Sequence, residues 1–146
     1  MAEWLLNDLM QSARFAAQFE FLDEIRNFVG DIARRGGFSD KAVYNIQLAT
    51  DEAASNIIEH AYKGVSNGVL ELSCDVSNDA ITIVLVDHGK PFDPSQIPAP
   101  DVKADLSKRK IGGLGLFLMR KLMDEVRYEA HPEQNRNVLT MIKYKE

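Results

Sequence analysis

Apolar residues recur every three or four positions in two stretches of the chain, and each stretch predicts an amphipathic helix. The first stretch covers Asp23–Arg35 and is followed by Gly36 and Gly37, which are typical residues at a helix end. The second covers Ser39–Tyr62, begins with good capping residues and contains no glycine or proline. Its predicted buried stripe consists of Ala42, Ile46, Ala49, Ala53 and Ile57.

Elsewhere the apolar period is close to two, which predicts β-strands. A first strand is expected at Arg14–Phe21. Val69–Val76 and Ala80–Val86 then form a predicted hairpin, and Arg127–His131 and Val138–Tyr144 form a closing one. In the second strand of the first hairpin, the expected core-facing residues are Ile81, Ile83 and Leu85.

The remaining segments connect these elements. Residues 1–12 are assigned to an N-terminal arm, of which residues 1–11 are predicted to be helical. Prolines exclude regular structure from Pro91 to about residue 101, and the polar, basic residues 101–111 are typical of a mobile loop. A glycine-rich run then opens a third predicted helix at Leu116–Glu125.

The order of these elements predicts an α+β fold. Helices and strands do not alternate strictly, so a doubly wound parallel sheet is disfavoured. The better interpretation is a two-layer α/β sandwich, in which a mixed, mostly antiparallel sheet carries three helices on one face. At 146 residues the chain is expected to form a single domain over residues 1–146.

Composition and charge narrow the function classes. The net charge is -5 and no block of lysine and arginine is present, so direct nucleic-acid binding is not expected. No apolar run approaches the roughly 20 residues that cross a bilayer, and no signal peptide is recognised, so no membrane partner is expected. Cys74 is the only cysteine, which fits a reducing compartment and predicts a cytoplasmic protein.

Two sets of polar residues are candidates for chemistry. Glu52, Asn56 and His60 follow one another in steps of four and share one helix face. The acid could take a proton and the amide oxygen could ligate a hard cation, although a solvated helix face is the plainer interpretation. Asp87 follows a strand and could accept a hydrogen bond from an amino group, with Gly89 allowing close approach. An ordinary turn is the alternative there.

A third candidate is the run Gly112–Gly115 at a predicted helix start. Backbone N–H groups and the helix dipole favour phosphate at such a position, and Lys108, Arg109 and Lys110 add positive charge upstream. The run is not a dinucleotide fingerprint, because the third glycine would fall at Leu118, and it is not a P-loop. Close packing at a helix start is the structural alternative.

Taken in order, these motifs resemble those of the GHKL ATPase superfamily, which includes the ATP-binding domains of histidine kinases, gyrase B and heat-shock 90 chaperones. The resemblance is nearest to the anti-sigma-factor serine kinases. Glu52–Tyr62 matches their N box, Asp87–Pro94 resembles their first glycine box, and Gly112–Leu116 resembles the second. It extends from Arg14 to the end of the chain and implies the GHKL, or Bergerat, ATP-binding fold.

The resemblance implies ATP and Mg²⁺ as cofactors and assigns roles to single residues. Glu52 would be the general base that activates an attacking hydroxyl, and Asn56 would ligate Mg²⁺. Asp87 would accept a hydrogen bond from the adenine amino group, and Gly89 would leave space for the ring. The residues implied at the phosphates are Lys110, Gly113, Leu114 and Gly115.

The sequence departs from the family pattern at three points. Pro91 replaces a second glycine of the first glycine box, and many anti-sigma-type kinases share that change. Ile111 stands where some relatives carry a phosphate-contacting arginine, for which Lys110 or Arg109 could substitute. Asn137-Val138 replaces a Gly-Thr pair before the last strand, which weakens the expectation of a threonine near the adenine.

The implied function is that of an ATP-dependent serine/threonine protein kinase acting as an anti-sigma factor. Such a protein would phosphorylate an anti-sigma-factor antagonist and sequester a sigma factor, and a homodimer is left open. No phosphoacceptor histidine helix is recognised before the domain, which disfavours a complete sensor kinase. The alternatives are a non-catalytic ATP-binding module that sequesters a protein partner, and a phosphotransfer regulator whose partner is not a sigma factor.

Overall fold

The computed structural model describes residues 10–92 and 111–145, and it describes the side chains of the second range from residue 117 onward. The predicted arm up to residue 9 and the predicted loop at residues 93–110, which includes Lys110, lie outside the described residues. Within the described part, the three long predicted helices and the five predicted strands each have a counterpart.

The sheet has five strands in the order β1-β2-β3-β5-β4. Each pair of neighbouring strands is antiparallel, so the mostly antiparallel sheet predicted from the sequence is confirmed. The strands are β1 at Met10–Ala16, β2 at Val69–Val76, β3 at Ala80–Asp87, β4 at Glu125–His131 and β5 at Arg136–Tyr144.

Three α-helices accompany the sheet, namely α1 at Leu22–Arg35, α2 at Asp40–Asn56 and α3 at Ile111–Leu122. The Oγ of Ser39 accepts a hydrogen bond from the Ala42 N–H at 3.2 Å, so the predicted cap at the start of α2 is present. Both α1 and α3 pack against α2. No helix in the described ranges is long and apolar enough to cross a membrane.

The hydrophobic core lies between this helical layer and one face of the sheet. Ile81, Ile83 and Leu85 are fully buried, as the period of the strand predicted. The alternate residues of β3, Thr82, Val84 and Val86, are only half-buried. One face of the sheet therefore carries the core, and the opposite face is more open.

The first strand is displaced from its predicted position. β1 occupies Met10–Ala16 instead of Arg14–Phe21, and Phe19–Phe21 form a 3-10 turn. Met10 and Gln11 were predicted to be helical and instead belong to this strand. The reason is that β1 pairs with β2 along its whole length, from Met10 opposite Asp75 to Ala16 opposite Val69. Ladder hydrogen bonds of this kind satisfy the backbone and outweigh local helical preference.

The glycine-rich run also differs from its prediction. α3 begins at Ile111 instead of Leu116, so the glycines lie in its first turns and do not precede it. Packing of α3 on α2 outweighs the intrinsic cost of about 1 kcal/mol for each glycine in a helix. The helix ends at Leu122, before the predicted Glu125, because Glu125 pairs with Ile142 as the first residue of β4.

Candidate functional site

The centre of the candidate site is a buried carboxylate at the end of β3. Asp87 is the last residue of this strand and lies directly opposite Asn137 of β5. Asp87 is 3% exposed and Asn137 is 2% exposed. The Oδ1 of Asp87 accepts two hydrogen bonds of 2.9 Å, one from Asn137 Nδ2 and one from the Gly89 N–H. The carboxylate is therefore held in one orientation.

Burial is the main influence on the protonation of Asp87, and it raises the pKa of this carboxyl above its ordinary value. The hydrogen bonds from Asn137 and Gly89, and the charge of His88, act in the opposite direction and lower the pKa. These donors thus help to keep the buried group ionised. An ionised carboxylate is an acceptor only, which suits an amino group on a ligand.

Gly89 brings the segment after β3 against the end of the long helix. α2 continues as a π-helix at Ile57–Ala61, and the Ala61 carbonyl accepts a hydrogen bond of 2.8 Å from the Lys90 N–H. A Cβ at Gly89 would lie 2.4 Å from the same carbonyl oxygen. The close approach expected at Gly89 is therefore an approach to the protein's own backbone, and the expected room for an adenine ring stays a prediction.

Tyr62 forms two hydrogen bonds at the same junction. Its hydroxyl accepts a hydrogen bond of 2.8 Å from the His88 N–H and donates one of 2.7 Å to the Val69 carbonyl. Three segments thus meet at one hydroxyl: the end of the π-helix, the start of β2 and the residues after β3. This contact and the one at Ala61 bring the motif Glu52–Tyr62 together with residues 87–92, the described part of the motif Asp87–Pro94.

The helix itself contributes an acid and an amide. Asn56 is the last residue of α2 and is 3% exposed, and its Nδ2 has no hydrogen-bond partner within the described part of the chain. Glu52 lies one turn earlier and is half-buried. Burial, and secondly the charge of Asp51, raise the pKa of Glu52 above its ordinary value. A carboxylate with a raised pKa takes up a proton more readily, which suits a general base.

An ion pair beside Glu52 joins α2 to α1. Arg26 Nη1 donates to Asp51 Oδ2 at 2.8 Å, and Arg26 also pairs with Asp23 on its own helix. Asp51 Oδ1 is buried without a partner among the described residues. The ion pair with Arg26 holds Asp51 in place, and the charge of Asp51 contributes to the raised pKa of Glu52.

His60 and His88 have packing and hydrogen-bonding roles. The His60 ring stacks on Phe92 with 4.3 Å between ring centroids and 14° between their planes. The Phe92 N–H donates to the Tyr128 hydroxyl at 2.8 Å, which fixes the far side of the stack. His88 Nδ1 lies 2.9 Å from the Asn135 carbonyl oxygen, within hydrogen-bond distance.

Asn56 fits a Mg²⁺ ion that is held mainly by phosphate. No group of three or more histidine, cysteine, aspartate or glutamate side chains in the described residues could hold a metal. Mg²⁺ in nucleotide sites usually has few protein ligands and keeps phosphate oxygens and waters around it. A buried amide offers its oxygen to such a cation, while the unpartnered Nδ2 of Asn56 can donate to a phosphate oxygen.

The predicted site residues are thus located as follows. Glu52 and Asn56 lie on α2, and Asp87 and Gly89 lie at the end of β3, which the π-helix and Tyr62 join to α2. The backbone of Gly113, Leu114 and Gly115 belongs to α3, which packs on α2, and Lys110 lies outside the described residues.

Sequence reasoning missed Asn137 as a site residue. Its signal was present, because Asn137, Leu139 and Met141 follow one another at period two and all three are buried. A polar residue at a core-facing position of a strand needs a hydrogen-bond partner. The predicted strand began at Val138, and this boundary left Asn137 in the loop.

Comparison with known proteins gives a consistent set of relatives. Residues 15–143 match the model of the family described as the histidine kinase-like ATPase domain. The serine-protein kinase RsbW of Listeria monocytogenes is 35% identical over 76% of this chain and 73% of that protein. The RsbW of Halalkalibacterium halodurans is 33% identical over 88% of this chain and 78% of that protein.

Solved structures agree on the fold. A Mycobacterium tuberculosis structure that contains RsbU and RsbW domains matches with a TM-score of 0.63 at 15% identity, over 91% of this chain and 32% of that one. The catalytic domain of the histidine kinase ThkA matches with a TM-score of 0.52 at 15% identity, over 92% of this chain and 98% of that one. At these identities the likeness concerns the fold alone.

Proposed function

Because the chain belongs to the histidine kinase-like ATPase family and, within it, to the serine-protein kinases RsbW, we propose that it is an anti-sigma factor with kinase activity. The reaction that it catalyses is that of the RsbW kinases, the phosphorylation of a protein serine with ATP. We propose that its substrate is a small antagonist protein, and that it sequesters a sigma factor.

The observation that carries this proposal is the anchored carboxylate of Asp87. A buried charge is unfavourable unless hydrogen bonds or a ligand compensate for it. Here two donors hold Oδ1, and no described residue donates a hydrogen bond to Oδ2. An adenine amino group is a donor of the kind that the second oxygen lacks.

The chemical step needs a base, a cation and positioning. We propose that Glu52 accepts the proton of a serine hydroxyl as the hydroxyl oxygen attacks the γ-phosphorus of ATP, and that ADP leaves with the bond electrons. Asn56 would hold Mg²⁺ through its amide oxygen. When bound, this ion supplies positive charge that offsets the negative charge of the phosphates. Gly113, Leu114, Gly115 and Lys110 remain the proposed phosphate contacts.

Radiolabel transfer tests the activity. The protein is incubated with labelled ATP, Mg²⁺ and an extract of its native host, and the labelled protein and residue are identified by mass spectrometry. We expect label on a serine of a small protein. Glu52→Gln should lose about 10²–10⁴-fold in rate, because a positioned general base contributes that much. Nucleotide affinity should be kept in this variant and lost in Asn56→Ala.

The matched control is Glu24→Gln, which neutralises an exposed acid on α1. It should transfer phosphate at the wild-type rate. The pH profile adds a second criterion: since the pKa of Glu52 is raised, the wild-type rate should fall as the pH drops through that raised value. A rate that Glu52→Gln leaves unchanged would contradict the assignment of the base.

The rival function is a binding module that retains nucleotide and partner but does not transfer phosphate. It predicts ATP-dependent stabilisation of the wild type without any labelled protein, and partner binding that is indifferent to Glu52. The homodimer is a further proposal, which sedimentation of the purified chain tests. The cytoplasm is the compartment that we propose, since Cys74 is a free and buried thiol.

A further inference from the structure

We propose that Asn137 determines the adenine specificity of this site by holding the Asp87 carboxylate as a pure hydrogen-bond acceptor. The inference rests on the proposed nucleotide site and adds a residue to it. Asn137-Val138 stands where the related superfamily has a Gly-Thr pair, so the role of Asn137 belongs to this chain's own sequence.

The hydrogen bonds of Asn137 fix the direction of its amide. Nδ2 donates to Asp87 Oδ1 at 2.9 Å and to the Gly89 carbonyl at 3.0 Å. Both of its N–H groups therefore meet acceptors. Turning the amide over would bring its oxygen against two other oxygens, so only the orientation with Nδ2 towards Asp87 and Gly89 is favourable. Asn137 consequently donates hydrogen bonds both to Asp87, the last residue of β3, and to Gly89, which follows the strand. We call this pair of contacts the clamp.

Within the clamp, the contact of Asn137 with Asp87 affects base recognition because the hydrogen bonds that the Asp87 carboxyl group can form depend on its protonation state. The ionised form accepts hydrogen bonds only, whereas the protonated form can also donate one. Adenine presents an amino donor at position 6, and hypoxanthine and guanine present a carbonyl acceptor there. Burial favours the protonated form of Asp87, and the Asn137 bond favours the ionised one. Removing the donor should therefore weaken the preference for adenine.

A purely structural role for Asn137 makes a different prediction. Asn137 lies in β5 opposite Asp87 and is 2% exposed, so it could serve only to close the strand end. Threonine and valine have nearly the same shape, but only threonine carries a hydroxyl that can donate to Asp87. Valine is at least as favourable in a strand, so a structural role predicts that the two variants behave alike.

The experiment compares these variants by calorimetric titration with ATP and with inosine triphosphate, both with Mg²⁺. Wild type and Asn137→Thr should keep the preference for ATP. Asn137→Val should reduce the ratio of the two affinities by about tenfold, which is typical of one lost hydrogen bond to a charged group. Thermal melts without nucleotide verify that each variant is folded. If valine prevents folding, Asn137→Ser against Asn137→Ala repeats the comparison.

The outcomes separate this inference from the function on which it rests. Wild-type protein that binds neither nucleotide overturns the proposed site and the role of Asn137 together. Wild-type protein that prefers ATP, with the same ratio in Asn137→Val, overturns the role of Asn137 alone. A ratio that falls equally in the threonine and valine variants also overturns it, because the hydroxyl donor would then make no difference.

Discussion

Replacing Tyr62 with phenylalanine tests how the end of the long helix is joined to the end of β3. Tyr62 is 6% exposed, and its oxygen bonds both the His88 N–H and the Val69 carbonyl. Tyr62→Phe removes one oxygen atom and keeps the ring, so packing changes little. The two hydrogen bonds are lost, and His88 is left with a part-buried N–H that has lost its acceptor.

The expected loss of stability follows from these two groups. A buried donor left without its partner costs about 1–3 kcal/mol. The Val69 carbonyl adds less because a carbonyl oxygen has a second lone pair, and burying phenylalanine in place of tyrosine recovers part of the loss. The net effect should be about 1.5 kcal/mol, or a decrease of about 3–6 °C in Tm for a chain of this size.

The assay is urea unfolding monitored by far-UV circular dichroism, and Tyr44→Phe is the matched control. Tyr44 lies on α2 and is 65% exposed, so its variant should differ from wild type by less than about 0.5 kcal/mol. If Tyr62→Phe is no less stable than Tyr44→Phe, the hydroxyl does not hold the junction and the reasoning fails.

Three further predictions concern single groups of the site and core. Gly89→Ala should lower the unfolding free energy by about 1–3 kcal/mol in urea melts, because its Cβ would lie 2.4 Å from the Ala61 carbonyl oxygen. Burial raises the pKa of Asp87 above 3.8, so the folded state binds this proton more tightly than the unfolded state and stability falls as pH rises from 3.8 through the raised value. Asp87→Asn should lack that decline in unfolding free energy measured across this range, and it should lose adenine preference. Burial also raises the pKa of the Cys74 thiol to about 12, so a thiol reagent at mildly alkaline pH should label Cys74 only as fast as the protein unfolds.

The parts of the fold that the sequence predicted well are those whose pattern is both long and locally capped. β2 occupies the predicted Val69–Val76, and α1 begins one residue before the predicted Asp23. α2 begins at its predicted cap, although its last turn continues as a π-helix at Ile57–Ala61. π-helical turns are rare and short, so the apolar pattern along the chain provides no reason to expect one at this position.

The parts that failed depend on partners distant in sequence. β1 takes its limits from pairing with β2 across more than fifty residues, and local preference contains no trace of that register. α3 includes three glycines that intrinsic propensity excludes from a helix. Asn137 looked like a loop residue because a polar side chain at a strand end reveals its role only once Asp87 lies opposite.

The polar groups of the long helix share a property that packing alone does not explain. Asp51 Oδ1, Asn56 Nδ2 and His60 Nε2 are buried without hydrogen-bond partners in the described part of the chain, and they lie within ten residues of one another. A buried polar atom that neither water nor a ligand meets costs about 1–3 kcal/mol of stability. Burial also raises the pKa of Glu52 nearby, so ionising this acid opposes folding. Proteins accept such losses mainly at functional sites, where a ligand that meets the unpaired groups restores the stability on binding. A fold selected for stability alone would avoid this concentration along α2 and the π-helix that continues it, and the nucleotide site that we propose beside Asp87 would account for it.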